Sequence, residues 1–126
     1  MAKASQESWR IVFYRDKNGN YPVREFIDDL AKTARAAVLR DLALLKEFGI
    51  TVGFPTVRPI AGVRKLWELR VKTGEGAVRI FYAALAGRRF ILLHGFMKKS
   101  EKTPKSDLEL AVKRLREVLT QEASHG

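Results

Sequence analysis

Between Val63 and Pro104 the chain reads VRKLWELRVKTGEGAVRIFYAALAGRRFILLHGFMKKSEKTP, with apolar runs at Leu66 to Val71, Ala77 to Leu85 and Phe90 to Met97. Runs of strand length separated by glycine-bearing gaps predict an antiparallel meander. Side chains alternate faces along a strand, so each run sorts into two sets. In the first run Trp67, Leu69 and Val71 are apolar, while Leu66, Glu68 and Arg70 make a largely charged set. A turn around Thr73 to Glu75 that pairs Val71 with Val78 also pairs Leu69 with Ile80, Trp67 with Tyr82 and Arg70 with Arg79. A two-residue loop at Gly87-Arg88 then sets Phe81 opposite His94 and Arg79 opposite Phe96. In that register Glu68, Arg70, Arg79, His94 and Lys98 share one face, and the apolar face opposite is left for helices to cover.

The flanking segments supply those helices. Trp9, Ile11 and Phe13 alternate with Arg10, Val12 and Tyr14, predicting a first strand that ends at the turn residues Asp16, Asn18, Gly19 and Asn20. After Pro22, the helical spacing of Val23, Phe26, Ile27 and Leu30 predicts a short helix. A second is expected from Thr33 to Phe48, burying Val38, Leu42 and Leu45, with Arg35 and Arg40 outward and Gly49 as its cap. Ile50 to Gly62, rich in glycine and proline, reads as a loop with at most a short extended piece. A last helix from Pro104 to about Thr120 would bury Leu108, Ala111, Val112, Leu115 and Leu119. The expected class is therefore α+β, a mainly meander antiparallel sheet with two N-terminal helices and one C-terminal helix. One domain over residues 1–126 is expected, with loose tails at 1–7 and 121–126.

Composition changes this picture in one respect. Among 126 residues, lysine and arginine outnumber acids 24 to 14, a formal net charge of +10 that favours a polyanionic partner. There is no cysteine, so disulfides, thiolate metal sites and thiol nucleophiles are excluded. No apolar run approaches bilayer length and MAKASQES lacks a signal-peptide core, so a cytoplasmic protein without membrane partners is expected.

Two arginines facing each other across strands repel, which calls for an anion between them. Metal-free RNA cleavage matches the groups on that face: a base for the 2′-hydroxyl, cations for the charge on phosphorus, and an acid for the leaving 5′-oxygen. Glu68 is the candidate base, or else pairs with Arg70 to orient it. Arg70, Arg79 and Lys98 are candidates for charge stabilisation and His94 for the acid, and a lysine of lowered pKa is an alternative for either proton-transfer role. Arg64, Lys65, Lys99 and Lys102, beside the strands, are candidate RNA contacts. No metal-ligand spacing and no glycine-rich phosphate loop is present, so neither metal nor cofactor is expected.

The segments KLWELR, VRIFY, FILLHGFMKKSEKTP and SDLELAVKR resemble the phage-associated, HigB-like branch of the RelE/ParE toxin superfamily. The likeness runs from Trp9 to about Leu119. It implies a type II toxin with helices on one side of the sheet and the other side open to RNA. RelE-like members enter the ribosomal A site and cut translated mRNA without a metal, and a cognate antitoxin, a helix-turn-helix HigA-like protein in this branch, neutralises them. By motif, Arg79 matches the strand arginine that contacts the scissile phosphate. Lys98 and Lys99 match the basic pair after the last strand, Arg64 and Lys65 the basic residues before the middle strand, and Glu68 and Arg70 the charged pair of LWELR. Where several relatives carry a C-terminal tyrosine or histidine, this chain offers Leu108, which leaves that task to His94 or the lysines. The superfamily also holds ParE-like gyrase inhibitors, so a noncatalytic module that binds gyrase, nucleic acid or an antitoxin is the alternative.

Overall fold

A computed structural model describes residues 9–49, 57–98 and 104–125. The elements follow in the order β1 (Arg10–Phe13), α1 (Pro22–Asp28), α2 (Lys32–Phe48), β2 (Val57–Pro59), β3 (Leu66–Thr73), β4 (Gly76–Leu85), β5 (Arg89–Lys98) and α3 (Lys105–His125). They form one five-stranded sheet ordered β1-β5-β4-β3-β2, antiparallel except where β1 runs parallel to β5. The α+β class and the meander expected from the apolar runs are both present. The expected loop before the meander carries β2, a three-residue edge strand that sets Arg58 opposite Glu68.

The first hairpin has the inferred register, with Trp67 opposite Tyr82, Leu69 opposite Ile80 and Arg70 opposite Arg79. Its turn is fixed by Thr73, whose hydroxyl donates to the Gly76 carbonyl and accepts from the Glu75 amide. The second hairpin differs from expectation. Its loop is Ala86-Gly87-Arg88, three residues with Gly87 at φ 81° and Arg88 at φ 56°. Leu85 therefore pairs with Arg89, and Tyr82 with Leu92. A bulge then leaves Leu93 as an extra residue, and beyond it Phe81 faces His94 and Arg79 faces Phe96. The longer loop shifts the register by one residue and the bulge shifts it back, so only the half of β5 near the loop departs from the inferred pairing.

Both faces of the sheet carry helices. On one, Val23, Ile27, Val38, Leu42 and Leu45 of α1 and α2 pack on Leu69, Val71, Val78, Ile80 and Tyr82. On the other, Ala111, Leu115 and Val118 of α3 pack on Phe81, Ala83, Ile91, Leu93 and Phe96. This corrects the expectation that all helices lie on one side and leave the other open, since α3 covers part of the face that carries Arg79. The run Phe81, Ala83, Ile91, Leu93 gives the second face its own apolar patch, which a helix must cover to keep it from water. The last helix is also longer than its apolar stripe suggested. It continues to His125, so residues 121–125 are helical rather than a loose tail, and Glu122 binds Arg89 at 2.6 Å. Residues 1–7 lie outside the described residues. No described helix is long and apolar enough to cross a membrane.

Candidate functional site

The α3 side of the sheet ends, toward β2 and β3, in a cluster of charge. Glu68 on β3 and Arg79 on β4 are 1% and 3% exposed, and Lys98 at the end of β5 is 8% exposed. The alternation of the strands places all three on the same face: Arg79 is diagonal to Glu68, and Lys98 sits opposite Ala77, two residues before Arg79. Each Glu68 oxygen accepts from a different guanidinium, Oε2 from Arg79 Nη1 at 2.5 Å and Oε1 from Arg58 Nε at 2.9 Å. Glu68 thus serves Arg79 and Arg58 rather than Arg70. Both of its oxygens are engaged, so the carboxylate clamps two guanidinium groups in place.

Arg79 is held through Nη1 by Glu68. Its Nε is buried with no hydrogen-bond acceptor among the described residues, a donor that costs free energy until an oxygen reaches it. Arg70, its cross-strand partner, is exposed at the rim. Lys98 feels Arg79, Arg58 and Arg70 as well as Glu68. Burial first, and then the Arg79 charge beside it, hold the Lys98 ammonium below the ordinary lysine pKa. Four cationic side chains surround one carboxylate, which makes this a place for an anion.

His94 lies on the same face but takes a different partner. Its Nε2 is 2.6 Å from Asp107 Oδ1 in the first turn of α3, and its ring stacks on Phe96. The pair ties the start of α3 to β5. Of the four basic residues proposed as RNA contacts, Arg64 and Lys65 are exposed in the turn that leads into β3, with Lys65 at φ 72°, a backbone conformation that disfavours a side chain. Lys99 and Lys102 fall outside the described residues.

Arg58 and Asp107 were missed by the sequence reading. Val57 and Arg58 alternate like a strand, but proline and glycine around them read as loop, and pairing with β3 is a nonlocal event. Asp107 carries a helix-start signal, an acid in the first turn, and nothing in the sequence places that turn beside His94. Among the described residues no three histidines, aspartates or glutamates lie together as a metal site would need.

In comparisons with known proteins, residues 25–116 match the family model of phage-derived Gp49-like proteins. A search of the curated proteins finds no match. The matched stretch runs from α1 into α3 and contains Arg58, Glu68, Arg70, Arg79, His94, Lys98 and Asp107.

Proposed function

Because the chain belongs to the Gp49-like family of phage-derived, toxin-like proteins, we propose that it is the toxin of a type II toxin–antitoxin pair and a ribosome-dependent endoribonuclease of the HigB-like kind. The observation that carries this reading is Arg79: a buried guanidinium clamped by Glu68, with one donor left without an acceptor among the described residues and Lys98 beside it. In this reading an RNA phosphate is the anion for the cluster and approaches from the rim, where Arg70 is exposed.

In the proposed reaction the 2′-oxygen of a ribose attacks the adjacent phosphorus, forming a cyclic phosphate as the bond to the 5′-oxygen breaks. Lys98 in its neutral form takes the 2′-hydroxyl proton, a role its lowered pKa favours. Arg79 and Arg70 carry the charge that builds on the phosphoryl oxygens. Glu68 and Arg58 hold Arg79 in place, so it need not reorganise during the step. The leaving 5′-oxygen receives a proton from the His94–Asp107 pair, or from Lys98 after it has been protonated. No metal enters this scheme. Substrate positioning falls to Arg64, Lys65, Lys99 and Lys102, the ribosomal A site presents the mRNA, and a helix-turn-helix antitoxin covers the same cations in the resting cytoplasm.

The test is a translation reaction with purified ribosomes and mRNA. The protein is expected to give discrete cuts that require the ribosome. Arg79→Ala is expected to lower the cutting rate by roughly a hundredfold or more, the usual loss for one charge-stabilising donor. Arg79→Lys, which keeps a positive partner for Glu68, separates lost chemistry from lost folding when thermal melts are run beside it. Intact mRNA with a folded wild-type protein overturns the proposal, and gyrase inhibition in a parallel supercoiling assay would assign the fold to the noncatalytic, ParE-like alternative.

A further inference from the structure

A second basic surface lies on the far flank of α3, against the turn that follows β1. Here a cleft of about 740 Å³ opens between Tyr14 to Gly19 and the helix residues Leu110, Lys113, Arg114, Glu117 and Gln121. Its walls are set by bonds internal to the protein. Asp16 accepts from the amides of Asn18 and Asn20 at 2.9 and 2.8 Å, which closes the turn. Gly19, at φ 85° and without a side chain, lets the Arg15 guanidinium lie across that turn. The Tyr14 hydroxyl donates to Glu117, while Arg114 stacks over the Tyr14 ring and donates to the Leu93 carbonyl at 2.8 Å.

These contacts leave an imbalance of charge. The carboxylates of the cleft, Asp16 and Glu117, are occupied by its own donors. Among the described residues no carboxylate forms an ion pair with Arg15, Lys17 or Lys113. Lys17 and Lys113 are both exposed. Beyond Lys113 a shallower depression of about 500 Å³ continues over Arg116 and Thr120, sharing Lys113, Glu117 and Gln121 with the cleft. Arg15, Lys17, Lys113 and Arg116 therefore line two adjoining depressions along one side of α3.

We propose that this basic surface binds the phosphate backbone of an RNA strand, making a second nucleic-acid contact separated by α3 from the Glu68–Arg79–Lys98 cluster. The inference takes the identity of the polyanion from the RNA reading above, and it requires no cleavage. A flexible single strand suits the place because its phosphates can follow a curved row of lysines and arginines, and such binding is driven by counterion release.

The experiment titrates the full-length protein into a short dye-labelled single-stranded RNA at several salt concentrations and follows anisotropy, with an acidic peptide as competitor. The double variant Lys17→Gln/Lys113→Gln is expected to bind roughly tenfold more weakly at low salt, and its slope of log affinity against log salt is expected to fall by about 1.4, two contacts at about 0.7 each. Each single variant is expected to show about half that change in slope, and melting curves confirm that both exposed substitutions leave the fold intact. The inference is overturned by an unchanged affinity and slope in the double variant, by a wild type that does not bind RNA, or by an acidic peptide that displaces RNA from the wild type and loses affinity in the double variant. Intact mRNA in the ribosome assay together with weakened binding by the double variant would sink the nuclease reading alone. Cutting lost in Arg79→Ala with unaltered binding by the double variant would sink this inference alone.

Discussion

A lysine packed beside an arginine holds its proton less firmly than one in water, and the consequences for Lys98 can be worked through in sign. Its folded-state pKa lies below 10.5, with burial as the larger cause and Arg79 next. Between the lowered value and 10.5 the unfolded chain binds more protons than the folded one, so this group makes stability rise with pH across that window. Tyr14 acts in the opposite sense: burial, then its bond to Glu117, pushes its pKa from 10.0 up to about 12. Between those two values the folded protein keeps a proton that the unfolded chain has lost, and stability falls. If Lys98 is the base, the cutting rate climbs with pH and levels off below 10.5. Lys98→Arg preserves the charge but cannot deprotonate in that range, so its rate is expected to be lower and to lose the rising limb in a single-turnover pH profile. A variant that keeps the limb would remove Lys98 from proton transfer and leave it an electrostatic role. Most of this residue-level detail is absent from the sequence. The motif LWELR puts Glu68 near Arg70, yet folding hands its carboxylate to Arg79 and Arg58, because the cross-strand diagonal and the edge strand bring those guanidinium groups closer.

At the scale of elements, close approaches decide where substitution is tolerated. Helix α2 stops at Gly49, which has φ 60° and whose missing side chain makes room for the Trp9 indole: a Cβ there would sit 2.4 Å from Trp9 Nε1. Trp9 is itself stacked on Phe90 of β5 at 4.1 Å, so it cannot move aside cheaply. Gly49→Ala is therefore expected to cost about 2 kcal/mol or more, from the positive φ and the contact together, and to lower the melting temperature by roughly 6–10 °C. Gly74→Ala, in open space in the β3–β4 turn and not at positive φ, is the matched control and is expected to change stability by no more than about 0.5 kcal/mol. Equal melting curves for the two would mean that Trp9 does not pin the end of α2. The role of Gly49 as a cap was legible from its position after an amphipathic stripe. Its contact with Trp9 was not, since the two are 40 positions apart in the chain, with β1, α1 and α2 between them.

For the molecule as a whole, the excess of cations sets two effects of salt against each other. A formal charge of +10 strains the folded state by self-repulsion, and ions screen it. The same ions compete with any phosphate contact. Moderate salt is thus expected to raise the melting temperature while it weakens ribosome or RNA binding steeply. Melts and binding titrations over one salt series check this, and an affinity that stays flat as stability rises would argue against phosphate recognition. That charge, the strand and helix periods, the first hairpin and the pairing of Arg70 with Arg79 were all determined by the sequence alone, because each depends on neighbours in the chain or on the two-residue alternation of a strand. Only the tertiary structure decided that α3 lies across the sheet from α1 and α2, that a bulge at Leu93 returns His94 and Lys98 to the face of Arg79, and that Arg58 joins the cluster from an edge strand. Those outcomes depend on packing between segments far apart in the chain, where burying a second apolar patch and closing a three-residue loop outweigh local preference.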